Sequence, residues 1–273
     1  MNESNVKGWD GFWEYRDEDK LQSEADYWTK YVWQLGLDYW QEVFEKLSPG
    51  KKMLECGAGS ARVSLHMAKQ GYDCTMLDNS NEGLKTGTAN FEKAGLKGSF
   101  LLGDVEKLDF PDHTFDIVYS GGLIEHFRDV HPVFNEMVRV IKPGGLFTAD
   151  IIPRRFSCMS LTYFLNSMWK FLSLIFRLKF KGSIRDNRRN FPFYENSISI
   201  KEYRKIARES GLEDVIATGT GMFPPLPLPK IMHKMYAGLM RKMLPVCRKF
   251  DRSNSWFSEA WGARYTVYGV KKE

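Results

Sequence analysis

The sequence predicts an α/β fold: a doubly wound, mostly parallel sheet of seven strands, with helical insertions that act as lids. Three observations predict it. Short apolar runs alternate with segments of helical period, glycines stand where those segments end, and the runs are almost continuously apolar, as strands buried on both faces must be. A chain of 273 residues can bury one sizeable core or at most two small ones.

Trp28, Tyr31, Val32, Leu35, Tyr39, Trp40, Val43 and Phe44 have helical spacing over residues 26–47, and Pro49-Gly50 ends that helix. Strands are expected at 53–56, 74–77, 100–102, 117–119 and 146–152, with helices near 60–70, 82–94 and 131–141. Gly71 and Gly95 stand where a helix end wants a left-handed residue. Pro143-Gly144-Gly145 is expected to break the chain before the fifth strand. Strand, helix, strand repeated in this way implies right-handed crossovers and parallel pairing. The rhythm stops after Ile152 and resumes at Ser199-Ile200-Lys201-Glu202, a capping box that opens a helix ended by Gly211. Strands at 212–218 and 265–270 complete the sheet. The expected organisation is a helical cap over 1–47, a core domain over 48–152 and 199–273, a lid at 153–198 and a second insertion at 222–262.

Charge is distributed unevenly. Residues 1–47 hold eleven Asp/Glu against five Lys/Arg, whereas residues 151–190 hold nine Lys/Arg against the single Asp186. Such a block points to an anionic partner, or to a solvated surface that balances the acidic segment. Cys56, Cys74, Cys158 and Cys247 stand far apart without metal spacing, so no metal is expected. No secretory signal is visible in the polar, acidic first residues, and reduced thiols in a cytoplasmic protein are the simplest reading.

In an open parallel sheet, ligands bind beyond the carboxyl ends of the strands. The first strand ends in Glu55-Cys56-Gly57-Ala58-Gly59-Ser60-Ala61-Arg62. Gly57 and Gly59 let the backbone turn tightly and approach a ligand without a Cβ in the way, and the next helix aims its free N–H groups at the same place. A dinucleotide fingerprint needs a third glycine where Arg62 stands, and a Walker loop needs a Gly-Lys-Ser/Thr that is absent, so both usual phosphate readings fail.

Glu55-x-Gly57-x-Gly59 resembles the first motif of the class I S-adenosylmethionine-dependent methyltransferases. The resemblance extends in order over residues 48–152: Asp78 closes the second strand, Gly103-Asp104-Val105 the third, Phe115 to Ser120 is similar to the fourth-strand motif, and Ile141-Lys142-Pro143-Gly144-Gly145 follows. It implies S-adenosylmethionine as cofactor, a Rossmann-like fold, Asp78 on the ribose hydroxyls and Asp104 on the adenine amine. Glu55 can orient the ligand's ammonium group, and a carboxylate at Asp78 has two acceptor oxygens that suit a vicinal diol. Ala58, Asn79, Val105, Ser120 and Gly121 complete the implied cofactor set. Asp78 and Asp104 are also good cap or turn residues, and Arg62 either meets the ligand's carboxylate or lies along its helix with its head in solvent.

Methyl transfer from a sulfonium is an in-line displacement that chiefly needs alignment in a dry pocket. His126 titrates near neutral pH and is the candidate base, with Glu125 beside it; a Glu-His pair here also serves to shape the loop. Residues 156–180 and 230–244 are basic and amphipathic. Leu161, Phe164, Leu165, Met168, Trp169, Leu172 and Ile175 form one apolar face; Ile231, Met232, Met235, Tyr236, Leu239, Met240, Met243 and Leu244 form the other. Such helices lie in a bilayer interface, cap a greasy site or simply pack on the sheet. The leading expectation is methylation of an oxygen or nitrogen on a small, apolar acceptor such as a quinone, phenol, isoprenoid or lipid, with peripheral contact to an anionic membrane. The alternatives are an enzyme acting on RNA or another anionic macromolecule, and a catalytically silent cofactor-binding scaffold. No RNA-binding module is recognisable, and the apolar stripes exceed what phosphate contact needs.

Overall fold

The computed structural model describes residues 8–13, 27–152, 154–175, 193–222 and 230–273. Residues 8–13 are helical. The other elements follow in order: α1 (Tyr27–Leu47), β1 (Lys52–Cys56), α2 (Arg62–Ala68), β2 (Asp73–Asp78), α3 (Asn81–Lys93), β3 (Ser99–Leu102), β4 (Phe115–Gly121), a 3₁₀ turn (Ile124–His126), α4 (His131–Arg139) and β5 (Ile141–Ile151). After them come α5 (Cys158–Ile175), α6 (Ile200–Glu209), β6 (Leu212–Thr220), α7 (Lys230–Asp251), α8 (Trp256–Trp261) and β7 (Arg264–Lys271).

The seven strands form one sheet in the order β3-β2-β1-β4-β5-β7-β6. β1 to β5 pair in parallel, and β7 runs antiparallel to both of its neighbours. Strand order therefore reverses between β1 and β4, which opens a crevice at their carboxyl ends. Alternate side chains feed two cores. On one face Leu54, Val118 and Phe147 meet Phe134 and Met137 of α4 and Tyr203 and Ile206 of α6. On the other, Met53, Ile117 and Met76 meet Trp40 and Phe44 of α1, Met67 of α2 and Phe91 of α3. Each such side chain taken from water contributes about 1.5–3 kcal/mol.

Local signals act where they stand. Gly71, Gly95 and Gly211 take φ of +80°, +68° and +95° after α2, α3 and α6. Ser199 accepts from Glu202 N and caps α6. Pro143-Gly144-Gly145 corrects its expectation: it does not precede β5 but lies inside it. Phe115 pairs with Ile141 and Ile117 with Leu146, so residues 142–145 bulge opposite Asp116. The Asp116 carboxylate accepts from Lys142 Nζ at 2.7 Å and Lys52 N at 2.9 Å, which ties the start of the bulge to β1. Helix α7 also outruns the expected 230–244, continuing through Pro245 to Asp251. Among the expected apolar helix positions, the side chains of Trp28, Tyr31, Val32, Trp169, Leu172, Ile175 and Ile231 lie outside the described residues.

A buried polar knot pins α1 across the sheet. Asp150, near the end of β5, accepts from Trp40 Nε1 at 2.9 Å and from Thr266 Oγ1 at 2.7 Å, and pairs with Arg264 Nε at 3.3 Å. Trp40 is 1% and Asp150 6% exposed, so the carboxylate cannot exchange these donors for water. Trp40→Phe removes the donor while keeping an aromatic ring. We expect it to lower stability by about 1.5–3 kcal/mol, read as the midpoint shift in urea unfolding; a change below about 0.5 kcal/mol would show that the knot does not hold α1.

Candidate functional site

A cavity of about 320 Å³ lies at the reversal of strand order, walled by residues from the ends of β1 to β4 and from segments 8–13 and 193–195. Its base is the loop after β1. Gly57, Gly59 and Ala61 all have positive φ, at +69°, +47° and +52°. A Cβ on Gly57 would meet Leu123 at 3.0 Å, and one on Gly59 would meet the Trp13 ring at 2.1 Å, so both positions need glycine.

Two buried carboxylates hold this loop. Ala61, at the start of α2, offers no side-chain cap; Glu55 supplies one from the strand, its Oε2 accepting from Ser64 N at 2.9 Å. Burial raises the Glu55 carboxyl to about 7, against the opposing hydrogen bonds from Ser64 and the nearby Arg62 charge. Asp78 accepts from Gly59 N at 2.7 Å and from Ser80 N at 2.9 Å. Burial pushes its pKa up too, and these backbone donors pull it back. Asp78 is thus both a wall of the cavity and the clamp on the glycine loop.

Of the residues expected from the sequence, Glu55, Gly57, Ala58, Arg62, Asp78, Asn79, Asp104, Val105, Gly121, Glu125 and His126 all line this one cavity. Gly59 is roofed by Trp13 instead, and Ser120 is fully buried within β4. Arg62 lies over the Trp33 ring at 4.6 Å, so it is neither splayed into solvent nor tied only to the cavity. Asp104 accepts from Glu106 N at 3.0 Å, the turn role weighed for it, while still lining the wall.

The upper wall comes from residues that pattern reading missed. Trp9, Phe12 and Trp13 line the cavity together with Phe193. Trp9 stacks on Phe193 at 3.8 Å and meets the His126 ring edge-on at 5.0 Å. Asp10 fastens this segment: it accepts from Ser80 Oγ at 2.7 Å and Glu82 N at 3.3 Å, at the start of α3. The available signal was three aromatics and an aspartate within five residues of a polar, acidic stretch. His126 Nδ1 lies 2.7 Å from the Tyr194 carbonyl, which can only accept, so Nδ1 bears a proton and the neutral ring keeps its lone pair on Nε2.

The donor set suits S-adenosylmethionine better than a phosphate ligand. Three carboxylates, Glu55, Asp78 and Asp104, converge with a glycine cradle, where a phosphate would be repelled.

Comparison with known proteins agrees. Residues 54–149 match the family described as "Methyltransferase domain". The chain is 33% identical over 104 residues to a sterol 24-C-methyltransferase of Yarrowia lipolytica, covering 37% of this chain and 27% of that protein. It is 31% identical over 114 residues to a ubiquinone biosynthesis O-methyltransferase of Rickettsia conorii, covering 41% and 39%. The match therefore spans well under half the length of either relative. In fold it is similar to phosphoethanolamine N-methyltransferase 2 of Haemonchus contortus, solved with S-adenosyl-L-methionine: TM-score 0.54 and 14% identity over 87% of this chain and 52% of that one. Residues 54–149 thus resemble a methyltransferase domain, in agreement with the motifs that the sequence carries over the same stretch.

Proposed function

We propose that the protein transfers the methyl group of S-adenosylmethionine to an oxygen or nitrogen of a small, apolar acceptor, working in the cytoplasm at an anionic membrane surface. The observation that carries this reading is the two-sided cavity. A half built from carboxylates and glycines meets a half walled by Trp9, Phe12, Trp13 and Phe193. Aromatic walls exclude water and favour a flat or greasy acceptor. Sterols and ubiquinone, in the names of the two relatives, are apolar as well.

On this reading Glu55 meets the cofactor's ammonium group and the Gly57-Ala58 backbone follows its methionine end. Asp78 and Asn79 take the ribose, and Asp104 and Val105 the adenine. Arg62 and Gly121 complete the surround. The cofactor supplies an electrophilic methyl on a sulfonium. The protein aligns the acceptor, keeps water out, and through His126 Nε2, with Glu125 beside it, removes the acceptor's proton.

Two helices favour the membrane. On α5, Leu161, Phe164, Met168 and Phe171 form an exposed stripe, with Phe164 64% and Phe171 63% exposed. On α7, Tyr236, Ala237, Met240 and Met243 pack together, while Met232, Met235, Leu239 and Val246 face out among Lys234, Arg241, Lys242, Arg248 and Lys249. A basic amphipathic helix of this kind lies in a bilayer interface. Among the described residues no helix is long and apolar enough to cross a membrane. The basic side chains Arg177 and Lys181 lie outside the described residues.

Three measurements test the reading. Purified protein with labelled cofactor should methylate a component of lipid or quinone fractions; labelling of RNA alone would overturn the acceptor class, and no transfer at all would favour a silent scaffold. His126→Ala should lower kcat by about 10²–10⁴ with cofactor affinity intact, and a loss under tenfold would leave alignment as the whole catalysis. Wild-type protein should sediment with anionic vesicles at low salt and poorly with neutral ones. Lys242→Glu with Lys249→Glu should reverse this, at about 1 kcal/mol per charge; wild type left in the supernatant would refute the membrane surface.

Cofactor affinity should also depend on pH through Glu55. With its carboxyl raised to about 7, the group holds a proton below that pH and must release it to pair with an ammonium. Affinity should therefore weaken as pH falls from 7.5 to 5.5, by up to about tenfold per unit. Glu55→Gln should bind more weakly and lose that slope; calorimetry showing the same slope in both proteins would refute the role.

A further inference from the structure

We propose that Asn196 is a positioning residue that locks His126 into the tautomer with Nδ1 protonated; the proposal rests on the reading of His126 as proton acceptor. The 3₁₀ turn Ile124–His126 has no side-chain cap of its own. What holds it arrives from nearly seventy residues later. Asn196 N donates to Glu125 O at 2.7 Å, and Asn196 Nδ2 donates to Phe127 O at 3.1 Å and Ile124 O at 3.4 Å. These three carbonyls bracket His126 on both sides.

The other half of Asn196 is anchored in the core. Its Oδ1 accepts from Tyr203 Oη at 2.9 Å and Ile198 N at 3.2 Å, and its main-chain oxygen accepts from Arg154 N at 2.9 Å. Tyr203 is itself fully buried beside Phe134 and Tyr265. With the amide nitrogen facing carbonyls and the amide oxygen facing donors, only one orientation of the side chain satisfies the network. Asn196 is 3% exposed, so water cannot replace these partners.

Two residues before this anchor stands the Tyr194 carbonyl that takes the His126 Nδ1 proton. Fixing residue 196 to both flanks of residue 126 sets the distance from that carbonyl to the ring. The two neutral tautomers of an exposed imidazole interconvert freely, and only the form with its lone pair on Nε2 accepts a proton from the cavity side if Nδ1 faces the strap. A side chain that spans the Ile124 and Phe127 carbonyls, on either side of residue 126, therefore does for His126 what an orienting carboxylate does elsewhere. Asp at this position accepts but cannot donate, and Ala does neither.

Ring-nitrogen NMR on histidine-labelled protein reads the tautomer directly. The chain has five histidines, and His126→Ala identifies the signal by its loss. Above its pKa the wild-type ring should show a protonated Nδ1 and a bare Nε2. In Asn196→Ala the two tautomers should mix, kcat should fall at least tenfold, and KM for the cofactor should stay within twofold. Asn196→Asp keeps the shape and serves if Asn196→Ala does not fold; it should show the same mixing. A wild-type ring protonated on Nε2, or a single Nδ1-protonated form surviving in the folded variants, overturns the proposal. A correct tautomer in a protein that transfers no methyl to any acceptor would instead refute the proposed function and leave the positioning role standing.

Discussion

A loop that turns through left-handed conformations at residues 57, 59 and 61 gives Gly57 N and Ala58 N to the Leu77 carbonyl of β2 and Ala61 N to the Ala58 carbonyl, and the Asp78 carboxylate takes Gly59 N. One oxygen takes Gly59 N and the other takes Ser80 N, so a single buried group joins the ends of β1 and β2 to the start of α3. Burial disfavours its charge, and the donors offset that cost. The chain of contacts continues outward. Ser80 Oγ accepts from Gly83 N and donates to Asp10, which brings Trp13 down on Gly59 and Gly83 and Trp9 against Phe193 and His126. The floor and the roof of the cavity thus share one electrostatic anchor.

The side of the sheet that holds the antiparallel strand is organised by a second carboxylate. Asp150 binds Trp40 of α1, Thr266 of β7 and Arg264, and the Trp40 ring then meets Tyr119 edge-on at 5.4 Å. Tyr119 lines the cavity, so the packing of α1 is transmitted to its wall. Asp251, at the end of α7, shares this buried surround: burial raises it to about 6, while it accepts from Gly221 N at 3.0 Å. Helix α7 is therefore tied to the same edge from which its exposed apolar and basic residues face outward.

Where sequence reasoning succeeded, the physics was local. Seven apolar runs, the left-handed glycines at 71, 95 and 211, the Ser199 cap and the Glu55-x-Gly57-x-Gly59 turn each depend on neighbours within a few residues. Their order along the chain suffices to predict a parallel sheet and hence where its crevice opens. The carboxylates Glu55, Asp78 and Asp104 were singled out by the resemblance of their motifs to the methyltransferase family, and they stand at or just past the ends of β1, β2 and β3.

What only the tertiary structure decided involves partners far apart in the chain. Pro143-Gly144-Gly145 has the composition of a break, yet pairing with β4 on both sides of it, Phe115 with Ile141 and Ile117 with Leu146, keeps it as a bulge within β5. Pro245 does not stop α7, a helix that packs on α1. The roof of Trp9, Phe12 and Trp13, the strap through Asn196 and the Asp150 knot leave no periodicity, since each joins segments some seventy to more than a hundred residues apart. Propensity and turn chemistry set the elements before they meet; hydrogen bonds and ring contacts between distant segments, which exist only once the sheet has formed, set the cavity.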